Sequence, residues 1–204
     1  LYSFSNLILI FVRMLSPNQV LTKYWGFNSF RSSQEEIINE VLAGRDTLAL
    51  LPTGGGKSIC YQVPGIMKDG NCLVVSPLIS LMKDQVSSLQ AKGIKAMALT
   101  SGMTLSEVDI ALDNCIYGNF KFLYLSPERL QNKMVQERLK KMNINLVAVD
   151  EAHCISEWGY DFRPAYLKIA QIRSFIDAPL IALTATATPD VAEEIEKKLL
   201  FEKS

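Results

Sequence analysis

The sequence predicts an α/β domain with a mostly parallel β-sheet and helices on both faces. Short apolar runs alternate with longer amphipathic runs, and Pro, Gly or Ser stands at most of the junctions. The apolar runs contain few polar residues, as is typical of strands that are buried on both faces. Such alternation indicates βαβ units and therefore parallel strands.

The predicted elements follow one another without a long linker or an internal repeat. Two helices come first, at 16–26 and 32–44, and each has a Ser at its start and a Gly at its end. Six strands are predicted at 46–51, 72–76, 95–100, 122–126, 146–150 and 180–185. Six more helices are predicted at 57–66, 78–92, 104–117, 127–142, 164–175 and 189–200. We therefore expect residues 16–204 to form one domain.

Composition excludes some classes of protein. The chain has 204 residues, 49% of them hydrophobic, which suits one or at most two domains with a sizeable core. Its 21 basic and 21 acidic residues cancel, so any nucleic-acid partner must be argued from local motifs. The cysteines are irregularly spaced and the chain has one histidine, which makes a zinc site or a disulfide framework improbable. A reducing, cytoplasmic compartment is the simplest expectation.

The first 15 residues differ from the rest. Their apolar part, 7–12, is too short to span a bilayer, and no basic residue precedes it as in a signal peptide. We expect residues 1–15 to be an extension outside the fold, and we expect no membrane partner.

The stretch "LLPTGGGKS" follows the first predicted strand and has the composition of a phosphate-binding loop. Glycines let successive backbone N–H groups turn inward, and the N-terminus of the next helix favours negative charge. In this pattern Lys57 reaches the β- and γ-phosphates and Ser58 gives its hydroxyl to Mg²⁺. The other loop candidates for nucleotide binding are Thr53, Gly54, Gly55 and Gly56. The alternative is a glycine-rich turn that caps a helix.

The stretch "LVAVDEAH" is an apolar strand that ends in two carboxylates. Asp150 can hold Mg²⁺, and Glu151 can polarise the water that attacks the γ-phosphate. A solvated acidic pair is the alternative. A lone histidine such as His153 is by default a structural residue, but its place beside the carboxylates favours a role in coupling their chemistry to another part of the protein.

Two further segments are candidates for coupling. In "TATAT", Thr184 and Thr186 could link the carboxylates to neighbouring loops by hydrogen bonds, although Thr is also a good strand former. The segment 154–166, here named the aromatic loop, combines Trp158, Phe162 and Arg163 with further aromatic residues. Bases of single-stranded nucleic acid stack on such side chains. The alternative is a loop that folds back into the core.

From about residue 25 onward the chain resembles the RecQ family of DNA helicases, in superfamily 2. The family's aromatic loop reads close to "HCISQWGHDFRPxY", and this chain departs from it at Glu157 and Tyr160. The loop form "PTGGGKS", with Leu51 in place of the general pattern's glycine, is similar to the nucleotide loop of that superfamily. The resemblance implies the first RecA-like P-loop NTPase domain of such an enzyme, with Trp158, Phe162 and Arg163 contacting single-stranded DNA.

The resemblance also implies roles for residues outside these motifs. In "WGFNSFRSSQ", Phe27 stacks on adenine, Arg31 supports the nucleotide and Gln34 hydrogen-bonds the adenine edge. Ser76, Lys83 and Arg129 match elements that grip the DNA backbone, although ordinary helix-surface roles suit the last two nearly as well.

The expected function is ATP-driven 3′-to-5′ separation of DNA strands in repair and recombination. The cofactors are ATP and Mg²⁺, and the partners are single-stranded and partly duplex DNA and a second RecA-like lobe. An arginine from that second lobe often completes such sites, so we expect this chain by itself to be nearly inactive. Another P-loop enzyme, such as an RNA helicase or a small-molecule kinase, and a non-catalytic docking module are the alternatives.

Overall fold

Six parallel strands form the sheet in the part of the chain that the computed structural model describes, which is residues 15–31, 33–157 and 161–202. The strands are β1 (Thr47–Leu50), β2 (Asn71–Val75), β3 (Ala96–Leu99), β4 (Phe122–Leu125), β5 (Ile144–Val149) and β6 (Leu180–Thr184). Their order across the sheet is β1-β6-β5-β2-β4-β3, with every pair parallel. The predicted α/β fold and all six predicted strands are confirmed.

Helices connect the strands. They are α1 (Pro17–Trp25), α2 (Gln34–Leu42), α3 (Lys57–Met67), α4 (Ile79–Ala91), α5 (Leu105–Tyr117), α6 (Pro127–Leu130), α7 (Lys133–Leu139) and α8 (Pro189–Lys198). Two 3₁₀ helices, Ala152–Ile155 and Pro164–Ser174, lie between β5 and β6. Among the described residues, no helix is both long enough and apolar enough to cross a membrane.

Side chains that alternate along the strands build two cores. One face of the sheet packs against α1 to α4, with strand residues such as Val74, Tyr124 and Ala148. The other face packs against α5 to α8 and the 3₁₀ helices, with strand residues such as Val75 and Val149. Burial on both faces explains why the strands have almost no polar residues. Leu15, the last residue of the predicted extension, packs partly buried on the first core, and residues 1–14 lie outside the described part.

Three predicted helices differ from the structure. The helix predicted at 127–142 is two helices, because the Asn132 side chain accepts hydrogen bonds from the backbone N–H groups of Met134 and Val135 and so starts α7. Ser33 does not cap α2 with its side chain, since its backbone is left-handed (φ 68°). The third is the 3₁₀ helix Pro164–Ser174.

This 3₁₀ helix has a simple origin in the spacing of its apolar residues. Tyr166, Ile169 and Ile172 are buried and stand three residues apart. A 3₁₀ helix has three residues per turn, so this spacing places all three side chains on one face. The sequence therefore predicts the position of this helix correctly, but the helix is a 3₁₀ helix and not an α-helix.

An ion pair at the N-terminal edge of the sheet closes the fold. The Asp46 carboxylate, 5% exposed, accepts hydrogen bonds from Arg173 Nη2 (2.7 Å), Leu180 N (2.8 Å) and Glu202 N (3.1 Å). Arg173 Nε also donates to Leu199 O (2.9 Å). We name this arrangement the Asp46 clamp, and it attaches the end of the described chain to the starts of β1 and β6.

Candidate nucleotide and nucleic-acid site

The sequence-predicted site residues gather at the edge of the sheet where the strands end. Leu51, directly after β1, donates its N–H to Thr184 O at the end of β6 (3.2 Å). Asp150, directly after β5, donates its N–H to Val75 O at the end of β2 (2.8 Å). The strand order therefore places the loop after β1, the carboxylates and the threonines side by side, where open parallel sheets bind ligands.

The loop between β1 and α3 has the backbone that its glycines allow. Gly54 and Gly56 have φ angles of 74° and 77°, which L-residues other than glycine rarely adopt. A Cβ on Gly56 would lie 2.5 Å from Gln34 Nε2, so the close approach of Gln34 also requires glycine. Lys57 and Ser58 are the first residues of α3, and the first turn of this helix carries no acidic residue. The positive end of the α3 dipole therefore faces the loop without a competing carboxylate.

The loop carbonyls are held from the other side by Arg31 and Gln34. Arg31 Nη1 donates to Gly54 O (2.6 Å), and Gln34 Nε2 donates to Gly55 O (3.0 Å) and Gly56 O (3.2 Å). Gln34 Oε1 accepts from Arg31 N (2.8 Å), and Gln34 is 2% exposed. The contact of Gln34 with the loop is a role that sequence reasoning missed, while its predicted contact with adenine stays a prediction.

Other predicted contacts of the nucleotide lie at the surface. Phe27 is 50% exposed, and its backbone carbonyl accepts a hydrogen bond from the Thr22 hydroxyl (2.9 Å). An exposed ring anchored by its backbone suits stacking on a planar base. Thr53 is exposed at the outside of the loop.

Asp150 is a partly buried carboxylate held by three groups. Glu151 N donates to Oδ1 (3.0 Å), and the Ser76 hydroxyl lies 3.4 Å from Oδ2. Burial raises the pKa of Asp150, and the negative charge of Glu151 raises it further, while these hydrogen bonds and the charge of Lys57 act in the opposite direction. The charge of Lys57, at the start of α3, acts on this carboxylate across the strand ends.

This donor set fits a hard divalent cation. Carboxylate and hydroxyl oxygens are the ligands that Mg²⁺ prefers, and Mg²⁺ keeps several waters and phosphate oxygens rather than an all-protein cage. Within the described residues, no group of three or more His, Cys, Asp or Glu side chains could hold a metal. The partly buried carboxylate of Asp150 suits such a cation, and the hydroxyl of Ser58, in the first turn of α3, would be the second protein ligand that the sequence predicts.

Glu151 has a strained backbone. Its φ and ψ angles are both 48°, a left-handed conformation that costs about 1 kcal/mol or more for a residue with a Cβ. The conformation is fixed by hydrogen bonds on both sides: Tyr166 OH donates to Asp150 O (2.9 Å) and Cys154 N donates to Glu151 O (2.9 Å). The sequence places Tyr166 among the aromatic residues that could meet a partner, but its side chain is fully buried, and its bond to the Asp150 carbonyl was not predicted.

His153 connects the carboxylates to the threonines after β6. Its Nδ1 lies 2.8 Å from Thr184 Oγ1 and 3.3 Å from Glu151 Oε2. Thr184 Oγ1 also donates to Thr186 O (3.2 Å). The Thr184 hydroxyl has one proton, which it donates to Thr186 O, and a carboxylate can only accept, so both contacts assign a proton to Nδ1. The structure thus links His153, Thr184 and Thr186 by hydrogen bonds and places the Glu151 carboxylate beside His153.

The aromatic loop begins beside these residues. Arg163 N donates to Cys154 O (2.9 Å), which closes the loop, and Arg163 Nη1 lies 3.3 Å from Pro77 O in the segment after β2. Asp161 Oδ2 lies 3.8 Å from His153 Nε2, and Phe162 is partly buried. Trp158 and Tyr160 lie outside the described residues.

The other predicted DNA contacts differ in their surroundings. Ser76 is 2% exposed and contacts Asp150, so it lies in the carboxylate site. Lys83 is exposed on α4. Arg129 Nη2 donates to Thr100 O (2.7 Å), and its side chain lines a cleft of about 470 Å³ between the ends of β2, β3 and β4. Pro77, which follows Ser76 and accepts a hydrogen bond from Arg163, lines the same cleft as Arg129. The DNA roles of Ser76, Lys83 and Arg129 stay predictions.

Replacing Asp150 by Asn is expected to raise the free energy of unfolding at pH 7 by about 1 kcal/mol. The pKa of Asp150 is higher in the folded than in the unfolded chain. At pH values above the pKa in the folded chain, the ionised carboxylate therefore destabilises the folded state. At pH values below the pKa of Asp150 in the unfolded chain, the carboxyl is protonated in both states. The free energy of unfolding gained by the substitution should then shrink toward zero. Urea unfolding of both proteins between pH 7 and acidic pH measures this; a gain that does not change with pH would contradict it.

Comparison with known proteins agrees with this geometry. A DEAD/DEAH box helicase family model matches residues 31–195. The probable ATP-dependent DNA helicase RecS of Bacillus subtilis is 51% identical over 184 residues, 89% of this chain and 37% of that protein. ATP-dependent DNA helicase RecQ of Haemophilus influenzae is 47% identical over 181 residues, 88% of this chain and 29% of that protein. The chain spans about a third of the length of these relatives.

Solved structures agree on the fold. The Pyrococcus furiosus Hef helicase domain superposes with a TM-score of 0.65 at 25% identity, covering 85% of this chain and 37% of that one. Helicase MrfA bound to DNA gives a TM-score of 0.72 at 17% identity, covering 93% of this chain and 29% of that one, and shows the fold alone. The predicted RecQ resemblance is confirmed by the sequence relatives. The chain belongs to the DEAD/DEAH box helicase family, with RecQ-type DNA helicases among its relatives.

Proposed function

We propose that this chain is the ATP-binding lobe of a RecQ-type DNA helicase, which couples ATP hydrolysis to 3′-to-5′ DNA strand separation in repair and recombination. The observation that carries the proposal is the meeting of the glycine loop, the two carboxylates and the His153 to Thr186 chain at one edge of the sheet. A docking module would have no need for a strained glutamate beside a buried aspartate.

In the ATP step, each group of the site has a separate task. Backbone N–H groups of the loop 53–56 and the ammonium group of Lys57 bind phosphate oxygens, and Ser58 and Asp150 hold Mg²⁺. When bound, Mg²⁺ neutralises the charge that develops on the phosphates. Glu151 orients the attacking water, and its strained backbone fixes the direction of its carboxylate. Phe27 stacks on adenine, with Arg31 and Gln34 supporting the loop beneath it.

In the DNA step, the aromatic loop contacts the bases of single-stranded DNA. Stacking on an aromatic side chain contributes about 1 to 3 kcal/mol per base. The distances from Asp161 to His153 (3.8 Å) and from His153 to Glu151 (3.3 Å) support a short route from the loop to the hydrolytic carboxylate. Ser76, Lys83 and Arg129 complete the DNA path, and a second RecA-like lobe completes the ATP site.

Glu157, a departure from the RecQ pattern, does not argue against this role. Its carboxylate lies 4.0 Å from Lys198 Nζ on α8, so the added negative charge is partly neutralised within the chain.

A cytoplasmic location is also proposed. The four cysteines are buried free thiols, and burial raises the pKa of each, so all four are kept protonated and shielded as suits a reducing compartment.

The two tryptophans of the chain allow a direct test of DNA contact. In a Trp25→Phe variant, emission comes from Trp158 alone. Oligo(dT) of about 15 nucleotides is expected to quench this emission, because bases stack on the indole ring. Oligo(U) of the same length should quench less, and a reversed preference would favour the RNA helicase alternative.

A second variant separates the two ligands. In the Trp25→Phe background, Lys57→Ala should weaken binding of a fluorescent ATP analogue about 10- to 100-fold, the effect of one or two lost charge-assisted hydrogen bonds. Quenching by oligo(dT) should be unchanged. If DNA leaves Trp158 emission constant while the ATP analogue binds, the aromatic loop is not a DNA contact and the docking-module alternative gains support.

A further inference from the structure

The aromatic loop has a fixed base. The hydrogen bond from Arg163 N to Cys154 O (2.9 Å) joins the two ends of the segment 155–162. Cys154 and Ile155 are buried in the core, and Ser156 N donates to His153 O (3.1 Å). The base of the loop therefore forms one unit with the residues that carry Glu151 and His153.

Helix α8 holds this base by a side-chain hydrogen bond. The Ser156 hydroxyl donates to Glu194 Oε2 (2.6 Å), and Ser156 is fully buried. Glu194 is partly buried on α8, and a bond of this length to a carboxylate is a strong, charge-assisted one. The ion pair between Glu157 and Lys198 lies one turn further along the same helix, but it is long and exposed and contributes little.

The same chain segment contacts the base at a second point. The helix α8 starts at the Thr188 cap, four residues after Thr184, whose hydroxyl contacts His153. Residues 184–194 therefore make two side-chain hydrogen bonds with residues 153–156, through Thr184 and through Glu194. A displacement of the loop base must change one of these two hydrogen bonds or move α8 with it.

We propose that Glu194 is a positioning residue, which holds the base of the aromatic loop so that DNA bound to the loop changes the affinity of the ATP site. This inference rests on the proposed function. Without the Ser156 to Glu194 bond, the base and the residues that carry Glu151 and His153 can move as one unit against α8, so that movement of the loop no longer changes the contact of His153 with Thr184. DNA and ATP then bind independently.

The coupling factor measures this directly. It is the dissociation constant of a fluorescent ATP analogue without DNA, divided by its value with saturating oligo(dT). Coupled sites typically give a factor of about 5 or more. We expect Glu194→Ala to bring the factor close to 1, with affinity in the absence of DNA unchanged within about two-fold. Glu194→Gln keeps an oxygen acceptor for the Ser156 hydroxyl and should retain part of the coupling.

Two kinds of control separate positioning from stability. Glu193→Ala and Glu196→Ala remove exposed carboxylates from the same helix and should leave the factor unchanged. Ser156→Ala removes the hydroxyl that donates to Glu194 and should repeat the loss seen with Glu194→Ala. If Glu194→Ala does not fold, this smaller change decides the question.

The outcomes distinguish the two proposals. A wild-type factor well above 1 that Glu194→Ala and Ser156→Ala leave unchanged overturns the positioning role and leaves the proposed function intact. A lower melting temperature with an unchanged factor also overturns it, because it shows a purely structural contact. A wild-type factor of 1, with both ligands bound, overturns the coupling in the proposed function and the positioning role with it.

Discussion

Hydrolysis of ATP by the 204-residue chain is expected to be about 10³- to 10⁵-fold slower than by a two-lobed protein in which the C-terminal part of a RecQ-type relative follows Glu202. That factor is the typical contribution of an arginine which reaches the phosphates from another lobe. In the described part of the chain, every arginine already binds an acceptor of the chain itself, as Arg129 binds Thr100 O and Arg163 binds Pro77 O. A second lobe is therefore the natural source of this group.

Phosphate release with and without oligo(dT) measures this difference. DNA should stimulate the two-lobed protein and leave the shorter chain slow. Lys57→Ala in the two-lobed protein is the control, and it should remove the stimulated turnover because the phosphates lose their cation. Rapid, DNA-stimulated turnover by the 204-residue chain would contradict the prediction.

Replacing Asp46 by Ala is expected to lower the free energy of unfolding by about 3 to 5 kcal/mol. The Asp46 carboxylate is 5% exposed and accepts three hydrogen bonds, so its removal leaves Arg173 Nη2 and the N–H groups of Leu180 and Glu202 without their acceptor, while Arg173 Nε keeps its bond to Leu199 O. A buried ion pair that loses one partner costs more than the pair itself contributes, since the remaining charge stays desolvated.

Urea unfolding of the variant and the wild type measures the loss. Asp177→Ala is a matched control, because Asp177 is exposed, lines a cleft together with Asp46 and Arg173, and should change stability by less than about 0.5 kcal/mol. A loss of only about 0.5 kcal/mol for Asp46→Ala would mean that the clamp is solvated and adds little.

The fold could be predicted from the sequence because its strands are buried on both faces. Runs such as "LVAV", residues 146–149, contain only apolar residues, and the apolar pattern changes clearly at each junction. Helix boundaries and types were less predictable where a side chain competes with the backbone. Asn132 divides a predicted helix by accepting two backbone hydrogen bonds, and the three-residue spacing of Tyr166, Ile169 and Ile172 gives a 3₁₀ helix.

The members of the site could be predicted, but several of their partners could not. Glycines, a lysine and paired carboxylates follow from the chemistry of phosphates and cations, which is the same in many folds. The contact of Ser76 with Asp150 joins residues 74 positions apart, and that of Gln34 with the glycine loop joins residues 22 positions apart. Such contacts depend on strand order and helix placement, and no local pattern in the chain records them.

The double use of Gln34 has a consequence for how this chain would select its nucleotide. One buried amide supports the carbonyls of Gly55 and Gly56 and also the backbone of Arg31, on the side where the base is expected. Any base that draws this amide toward itself withdraws support from the loop, and by reciprocity a loop ordered by phosphates fixes the amide. Discrimination between purines would then grow with the number of phosphates on the ligand. Binding affinities of nucleosides would therefore underestimate how well the site distinguishes between nucleoside triphosphates.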